Sequence, residues 1–141
     1  MTTTARADIH VDASRDRLWQ ALTDPATIER FLFGSRVETD WQKGSPVVYH
    51  GEWEGQPYED KGVILELIPG ERLVTSYYSP LSGKPDEPAS YQTVSYLLAD
   101  DAEGTVVTIT QDGCADDAEA KRMGDNWGMV LQTLKSVVEG D

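Results

Sequence analysis

Two histidines and one cysteine are the side chains most suited to catalysis in this sequence, and their neighbours limit what each can do. His10 shares one face of a predicted strand with charged residues, which predicts a solvated side chain. His50 lies in the aromatic segment 49–53, where a neutral hydrogen-bonded histidine and a general base would have the same sequence. Aspartates surround Cys114 and oppose formation of its thiolate, so we do not expect a reactive nucleophile there.

Metal and cofactor sites have no recognisable pattern in this chain. With two histidines and a single cysteine, no converging set of nitrogen and sulfur ligands is apparent. Neither a glycine-rich phosphate loop nor a nucleophile elbow occurs. We therefore predict no metal, no cofactor and no catalytic residue, and the lone cysteine excludes an intramolecular disulfide.

The tyrosines and tryptophans offer another kind of site, the wall of a cavity for a small molecule. Each carries one polar group on a large apolar body, so it suits a cavity wall, although packing of a sheet against a helix would use the same residues. Gln111 ends an apolar strand face, where it could orient a ligand, unless the register is off by one residue. The predicted ligand-binding residues are Trp53, Tyr77, Tyr96, Gln111, Met123 and Trp127, with His50 and Tyr91 at the mouth.

A long C-terminal helix is predicted from about Asp116 to Val138, because apolar residues recur there at helical spacing on one face. Gly124 and Gly128 each weaken the interior of this helix by about 1 kcal/mol relative to alanine. Either they leave room for a ligand or they allow close packing on a strand, and the sequence leaves both readings open.

The rest of the chain is predicted to form one antiparallel sheet and two short helices. Ser14 can cap a helix that ends near Leu22, and Pro25 opens a second one through Phe31. Short turns rich in Gly or Pro make neighbouring strands antiparallel. The predicted strands cover residues 5–11, 36–41, 46–54, 58–68, 71–78, 91–99 and 104–111. This order, β-α-α-β6-α in a single domain over residues 1–141, is α+β, with a curved sheet wrapped around the helix.

Five segments resemble one protein superfamily in their order and spacing. They are Asp12-Ala13-Ser14 with Leu18-Trp19-Gln20-Ala21-Leu22-Thr23-Asp24-Pro25, followed by the segments at 43–46, 61–69, 104–110 and 126–135. Together they resemble the SRPBCC (START-like) superfamily, and more narrowly the branch named for the C-terminal domain of the heat-shock-protein-90 ATPase activator. The resemblance spans essentially the whole chain.

This resemblance implies a helix-grip fold, in which seven antiparallel strands curl around the C-terminal helix and two short helices close the sheet. It also implies a hydrophobic cavity in many members. It does not imply one activity, because the superfamily includes lipid carriers, hormone receptors, aromatase/cyclase-like proteins and co-chaperones.

Three functions follow as hypotheses, and we take the first as the prediction. It is the binding of a small hydrophobic or aromatic ligand between the sheet and the C-terminal helix, without catalysis. The second is a co-chaperone-like interaction module, although the eukaryotic activator has a further N-terminal domain and this chain begins at the first strand. The third is a cyclase, dehydratase or hydrolase that uses His50 or a cavity tyrosine as its acid–base group.

Charge and hydropathy limit the partners. The net charge of -13 repels phosphate backbones and anionic lipids, so we predict neither a nucleic-acid nor a membrane partner. No apolar run reaches membrane-spanning length, and the first residues lack the apolar core of a signal peptide, so a cytoplasmic location is expected. A small hydrophobic molecule is the predicted partner, a protein partner is the alternative, and both a monomer and a homodimer stay open.

Overall fold

A seven-stranded antiparallel sheet forms most of the structure. The computed structural model describes residues 3–32, 34–53, 55–80, 83–101 and 103–140. In chain order the elements are β1 (Thr3–Val11), α1 (Arg15–Leu22), α2 (Pro25–Phe31), β2 (Arg36–Glu38), β3 (Pro46–Trp53), β4 (Gln56–Ile68), β5 (Arg72–Tyr77), β6 (Gln92–Asp101), β7 (Gly104–Cys114) and α3 (Asp117–Gly140). A short 3₁₀ turn at Pro88–Ser90 lies in the connection from β5 to β6.

The order of strands across the sheet is β1-β7-β6-β5-β4-β3-β2, and every neighbouring pair is antiparallel. Consecutive strands β2 to β7 are therefore neighbours, and β1 joins the far side of β7. Helix α3 packs against β1, β7 and α2. This arrangement, a curved antiparallel sheet around a long C-terminal helix, confirms the predicted α+β helix-grip fold.

The two short helices begin where the sequence predicts, because each has a side-chain cap. The Ser14 hydroxyl oxygen accepts a hydrogen bond from the Arg17 backbone N–H at 3.1 Å. A carboxylate oxygen of Asp24 accepts from the Thr27 N–H at 3.3 Å, and Pro25 occupies the first turn. Helices α1 and α2 lie between β1 and β2 in the chain, and α2 contacts both β2 and α3.

Helix α3 has two halves with different environments. Its buried residues are Val130, Leu131, Leu134, Val137 and Val138, which all lie in the C-terminal half. No residue of the helix before Val130 is fully buried. The C-terminal half therefore completes the core, while the residues of the N-terminal half stay partly or fully exposed. Among the described residues, no helix is both long enough and apolar enough to cross a membrane.

The two helix glycines differ in the space around them. A Cβ atom at Gly124 would lie 3.2 Å from the backbone oxygen of Arg6 in β1, whereas one at Gly128 would meet nothing within 4 Å. Gly124 thus allows the helix to approach β1 closely. The open space beside Gly128 is what the first interpretation requires, that a glycine leaves room for a ligand. Gly128 does not, however, line the cavity described below.

The strand boundaries differ most from the predicted ones at two places, by three residues each. Strand β2 ends at Glu38 and not at residue 41, because Trp41 has a φ of 58°, a left-handed conformation that no strand can contain. Strand β7 continues past residue 111 to Cys114, because Thr3 of β1 pairs with it there. Both differences depend on backbone geometry or on distant pairing, which local alternation does not report.

Candidate functional site

A cavity of about 900 Å³ lies between the sheet and the N-terminal half of α3. Small-molecule sites in proteins commonly have volumes of about 300–1,000 Å³. Alternation along the strands turns every second side chain toward this space, and the helix supplies the opposite wall. The aromatic part of the wall consists of Tyr49, Tyr58, Tyr77, Tyr78, Tyr96 and Trp127.

A chain of hydrogen bonds connects the sheet to the helix across one side of the cavity. The Trp127 indole N–H donates to the Gln111 side-chain oxygen at 2.8 Å, and the Gln111 amide N–H donates to the Gln92 side-chain oxygen at 2.7 Å. Gln111 is only 4% exposed. The Trp127 ring also meets Tyr96 edge to face, with ring centroids 6.0 Å apart. The indole is therefore held in one orientation.

A second polar group in the wall is centred on Asp60 of β4. The Tyr77 hydroxyl donates to one Asp60 carboxylate oxygen at 2.7 Å, and Tyr49 of β3 pairs with Asp60 in the sheet register. The other Asp60 oxygen is buried and has no hydrogen-bond partner among the described residues. An unpaired buried acceptor is uncommon in folded proteins, which makes this oxygen a candidate contact for a ligand.

The buried tyrosines keep their protons at physiological pH. Burial, with a smaller effect from the Asp60 charge, raises the pKa of Tyr49 to about 12. Burial and the contact with Asp60 raise the pKa of Tyr77, and burial raises the pKa of Tyr96. The hydroxyls of Tyr49 and Tyr96 can therefore donate hydrogen bonds to a ligand, whereas Tyr77 already donates to Asp60. None of the three is poised to act as a general base near pH 7.

Two further tyrosines fix the edges of the cavity. The hydroxyls of Tyr58 and Ser35 lie 2.7 Å apart, which ties β4 to the loop before β2. The Tyr78 hydroxyl donates to the backbone oxygen of Lys84 at 2.6 Å and so holds the loop that follows β5. Gly51 makes the first contact feasible, because a Cβ at that position would collide with the Tyr58 ring.

The structure brings together five of the eight residues predicted to bind a ligand. Tyr77, Tyr96, Gln111, Met123 and Trp127 all line the cavity. Their role in binding remains a prediction.

The other three residues stand apart from this group. Trp53 ends β3, but its side chain lies outside the described part of the structure. Tyr91 does not line the cavity, and its ring stacks on that of Tyr78 with centroids 5.3 Å apart. His50 does not line it either, because Tyr49 and His50 are consecutive and Tyr49 is the one that faces inward.

His50 instead lies between two acidic residues on the opposite face of the sheet. Its ring nitrogens are 3.5 Å from carboxylate oxygens of Glu38 and Glu59, and its side chain is 28% exposed. The enzymatic hypothesis with His50 as the acid–base group requires this side chain to point into the cavity. His50 does not meet this requirement.

Asp60 and Tyr49 are the most informative of the wall residues that sequence reasoning missed. The signal for Tyr49 was its spacing of two from the apolar Val47, which is 1% exposed. For Asp60 the signal was a charged residue in phase with Ile64, a buried residue of the same strand. Acidic residues rarely lie on the inward face of a strand. For Asp60, strand alternation predicts the orientation better than the usual preference of aspartate for solvent does.

Neither a metal site nor a reactive cysteine is found among the described residues. They contain no group of three or more His, Cys, Asp or Glu side chains arranged to hold a metal ion. Cys114 is fully buried, and its burial raises the pKa of the thiol. Its position therefore agrees with the expectation that it is not a reactive nucleophile.

The helix-grip fold and a match to one family of this class place the protein in the SRPBCC superfamily. Residues 12–139 match the sequence profile of the family described as Activator of Hsp90 ATPase homolog 1-like protein, and the chain belongs to this family. A comparison with functionally curated proteins finds no significant match.

Solved structures agree with this assignment. The chain is similar to ChR145 from Cytophaga hutchinsonii, with 38% identity and a TM-score of 0.85 over 98% of this chain and 94% of that one. It is similar to CV1439 from Chromobacterium violaceum, with 25% identity and a TM-score of 0.78 over 98% of each chain. The Aha1 dimer from Colwellia psychrerythraea, at 18% identity and a TM-score of 0.74 over 97% of this chain and 96% of that one, shares the fold.

Proposed function

We propose that this protein binds a small hydrophobic or aromatic molecule in the cavity between the sheet and α3, without catalysing a reaction. The observation that carries the proposal is the cavity itself, about 900 Å³ with a wall of tyrosines and a tryptophan. Such a wall combines apolar surface with a few fixed polar groups, the usual composition of a small-molecule site.

The rigidity of the wall supports binding over collapse. Trp127 is hydrogen-bonded to Gln111 and packed against Tyr96. These contacts fix the position of α3 relative to the sheet and oppose closure of the cavity. Because these side chains are already ordered, a ligand would lose little free energy in arranging them. A two-ring aromatic molecule that buries roughly 200 Å² of apolar surface would gain about 5 kcal/mol before the cost of association.

A substitution on the floor of the cavity provides the test. Val94 is 2% exposed and lines the cavity, and it lies between Thr75 and Gln111 in the sheet register. We expect Val94→Trp to weaken binding of the neutral fluorescent probe N-phenyl-1-naphthylamine by at least about tenfold, or 1.4 kcal/mol. Fluorescence titration measures the affinity, and far-UV circular dichroism checks the fold.

The matched control is Val63→Trp, the same substitution on a strand residue that is 38% exposed and does not line the cavity. It should leave the affinity for the probe unchanged. Met123→Trp, on the helix wall, is a second way to narrow the cavity if Val94→Trp does not fold. Equal affinity in the wild type and in a folded cavity variant would reject the proposal.

Family membership supports one other candidate, an interaction module for a chaperone of the heat-shock-protein-90 class. Residues 12–139 match a family named for the activator of that ATPase. Purified protein added to the chaperone would raise its ATPase rate if this function holds. An unchanged rate, together with no retention of the chaperone in a pull-down, would eliminate it.

A further inference from the structure

The unpaired oxygen of Asp60 indicates which ligands the cavity prefers. One carboxylate oxygen of Asp60 accepts the Tyr77 hydroxyl, whereas the other is buried without a hydrogen-bond partner among the described residues. Leaving a buried acceptor unpaired costs free energy, and the cost is greater when the group is charged. A ligand that brings a hydrogen-bond donor to this oxygen would recover that free energy.

The surroundings of this oxygen are aromatic. The Tyr77 hydroxyl contacts Asp60, and Tyr49 lies directly opposite Asp60 on the adjacent strand. The charge of Asp60 contributes to the raised pKa of both tyrosines. Tyr96 is close enough to these two rings that they raise its own pKa, after the larger effect of burial. Faces of aromatic rings attract cations.

The other charged residues of the wall lie further out. Lys84 and Arg122 line the cavity, but both are exposed, which places them at its rim. Glu119 lines it as well and is half-buried near the start of α3. A positive group that enters the cavity therefore moves toward acidic and aromatic groups in a protein whose net charge is -13.

We propose that the cavity prefers ligands in which an aromatic or hydrophobic body carries a protonated amine that donates a hydrogen bond to Asp60. This inference rests on the ligand binding proposed above and adds the chemical class of the ligand. A hydroxyl can also donate to the carboxylate, but a protonated amine adds the Coulomb attraction between opposite charges and so gains more at Asp60. Pairing with Asp60 also offsets the cost of removing the cation from water.

Three probes with the same naphthalene body separate these contributions. They are 1-naphthylmethylamine, which is cationic at pH 7, 1-naphthalenemethanol, which is neutral, and 1-naphthoic acid, which is anionic. Isothermal titration calorimetry should show the amine binding at least about tenfold more tightly than the alcohol, with the acid weakest. An alcohol that binds as tightly as the amine would overturn the preference and leave the proposed function intact. If none of the three binds, both proposals fail.

The variant Asp60→Asn tests the residue. An asparagine oxygen can still accept from Tyr77, but the amide N–H₂ would face the ligand amine with donors. The affinity for the amine should fall by at least about tenfold, while that for the alcohol stays within about threefold and so reports an intact cavity.

The control is Glu59→Gln. It removes the same charge from the neighbouring strand position, which is exposed and does not line the cavity. We expect both probes to bind this variant as they bind the wild type. An equal loss of amine affinity in Glu59→Gln and Asp60→Asn would mean that only net charge matters, and would overturn the assignment to Asp60.

Discussion

Gln111 illustrates how one buried amide can organise a wall. Its side-chain oxygen accepts from Trp127 and its amide donates to Gln92, so it links β7, β6 and α3. Sequence reasoning predicted that Gln111 would orient a ligand directly. The structure gives it a second task, because it holds the indole ring that faces the cavity.

We expect Gln111→Leu to destabilise the protein by about 1–3 kcal/mol, because it leaves the Trp127 N–H and the Gln92 side chain without their partner. Urea unfolding measures the change. Gln132→Leu, the same substitution at an exposed position of α3, should change stability by no more than about 0.5 kcal/mol. Equal effects of the two variants would show that the hydrogen-bond chain contributes nothing to stability.

Ionisation of Tyr49 lowers the stability of the protein at alkaline pH. Its pKa is about 12 in the folded protein, against an ordinary value of 10.0 that applies to the unfolded chain. Because the unfolded chain loses this proton first, the contribution is complete below pH 10 and decreases between pH 10 and about 12. The free energy of unfolding should fall by about 1.4 kcal/mol per pH unit from this residue.

The comparison of wild type with Tyr49→Phe isolates that contribution. The variant lacks the ionisable group, so its free energy of unfolding, measured in urea at a series of pH values, should decline less steeply in this window. Parallel curves for the two proteins would contradict the raised pKa.

Helix α3 shows, at the scale of an element, why a cavity exists. Its buried residues all lie in the C-terminal half, from Val130 onward, and no residue before that point is fully buried. One helix therefore has two functions, because one half completes the core and the other half covers the cavity.

The two glycines of α3 make a matched test of this geometry. Alanine is favoured over glycine in a helix interior by about 1 kcal/mol, so Gly128→Ala, which meets open space, should stabilise the protein by about that amount. Gly124→Ala should gain nothing or lose stability, because its Cβ would lie 3.2 Å from the Arg6 backbone oxygen. Urea unfolding of both variants gives the comparison, and an equal gain at the two positions would refute the close approach of α3 to β1.

The sequence predicts the elements well where a local pattern fixes them. Gln111 was expected to end an apolar strand face, and it is buried together with Val107 and Ile109, which share that face of β7. The end of β2 could not be predicted in this way, because it depends on the left-handed conformation of Trp41, a residue type that rarely adopts it.

The candidate site was only partly predictable for a different reason. His50 was chosen for its chemistry, but strand alternation places its neighbour Tyr49 in the cavity. Asp60 was overlooked because acidic residues usually face solvent, and only the packing of β3, β4 and β5 shows that one of its oxygens is buried. The alternation of side chains along a strand therefore predicts which residues line the cavity more reliably than their chemical reactivity does.

For the molecule as a whole, fold and cavity belong together. Seven antiparallel strands curve around a helix of 24 residues, and α2 contacts both β2 and that helix. A ligand that binds only the folded protein would raise its stability by mass action, by about 2.7 kcal/mol at a concentration of one hundred times the dissociation constant. Binding would therefore also appear as a rise in melting temperature.

The most direct test of ligand binding in the cavity is an NMR measurement of contacts between N-phenyl-1-naphthylamine and methyl groups of the protein. We predict nuclear Overhauser effects from the probe to the methyls of Val94, Met123 and Val130, which line the cavity, and none to Val63 and Leu65, which are exposed and do not. Contacts only to the exposed pair, or no contacts at a probe concentration that saturates any fluorescence change, would contradict the proposed site.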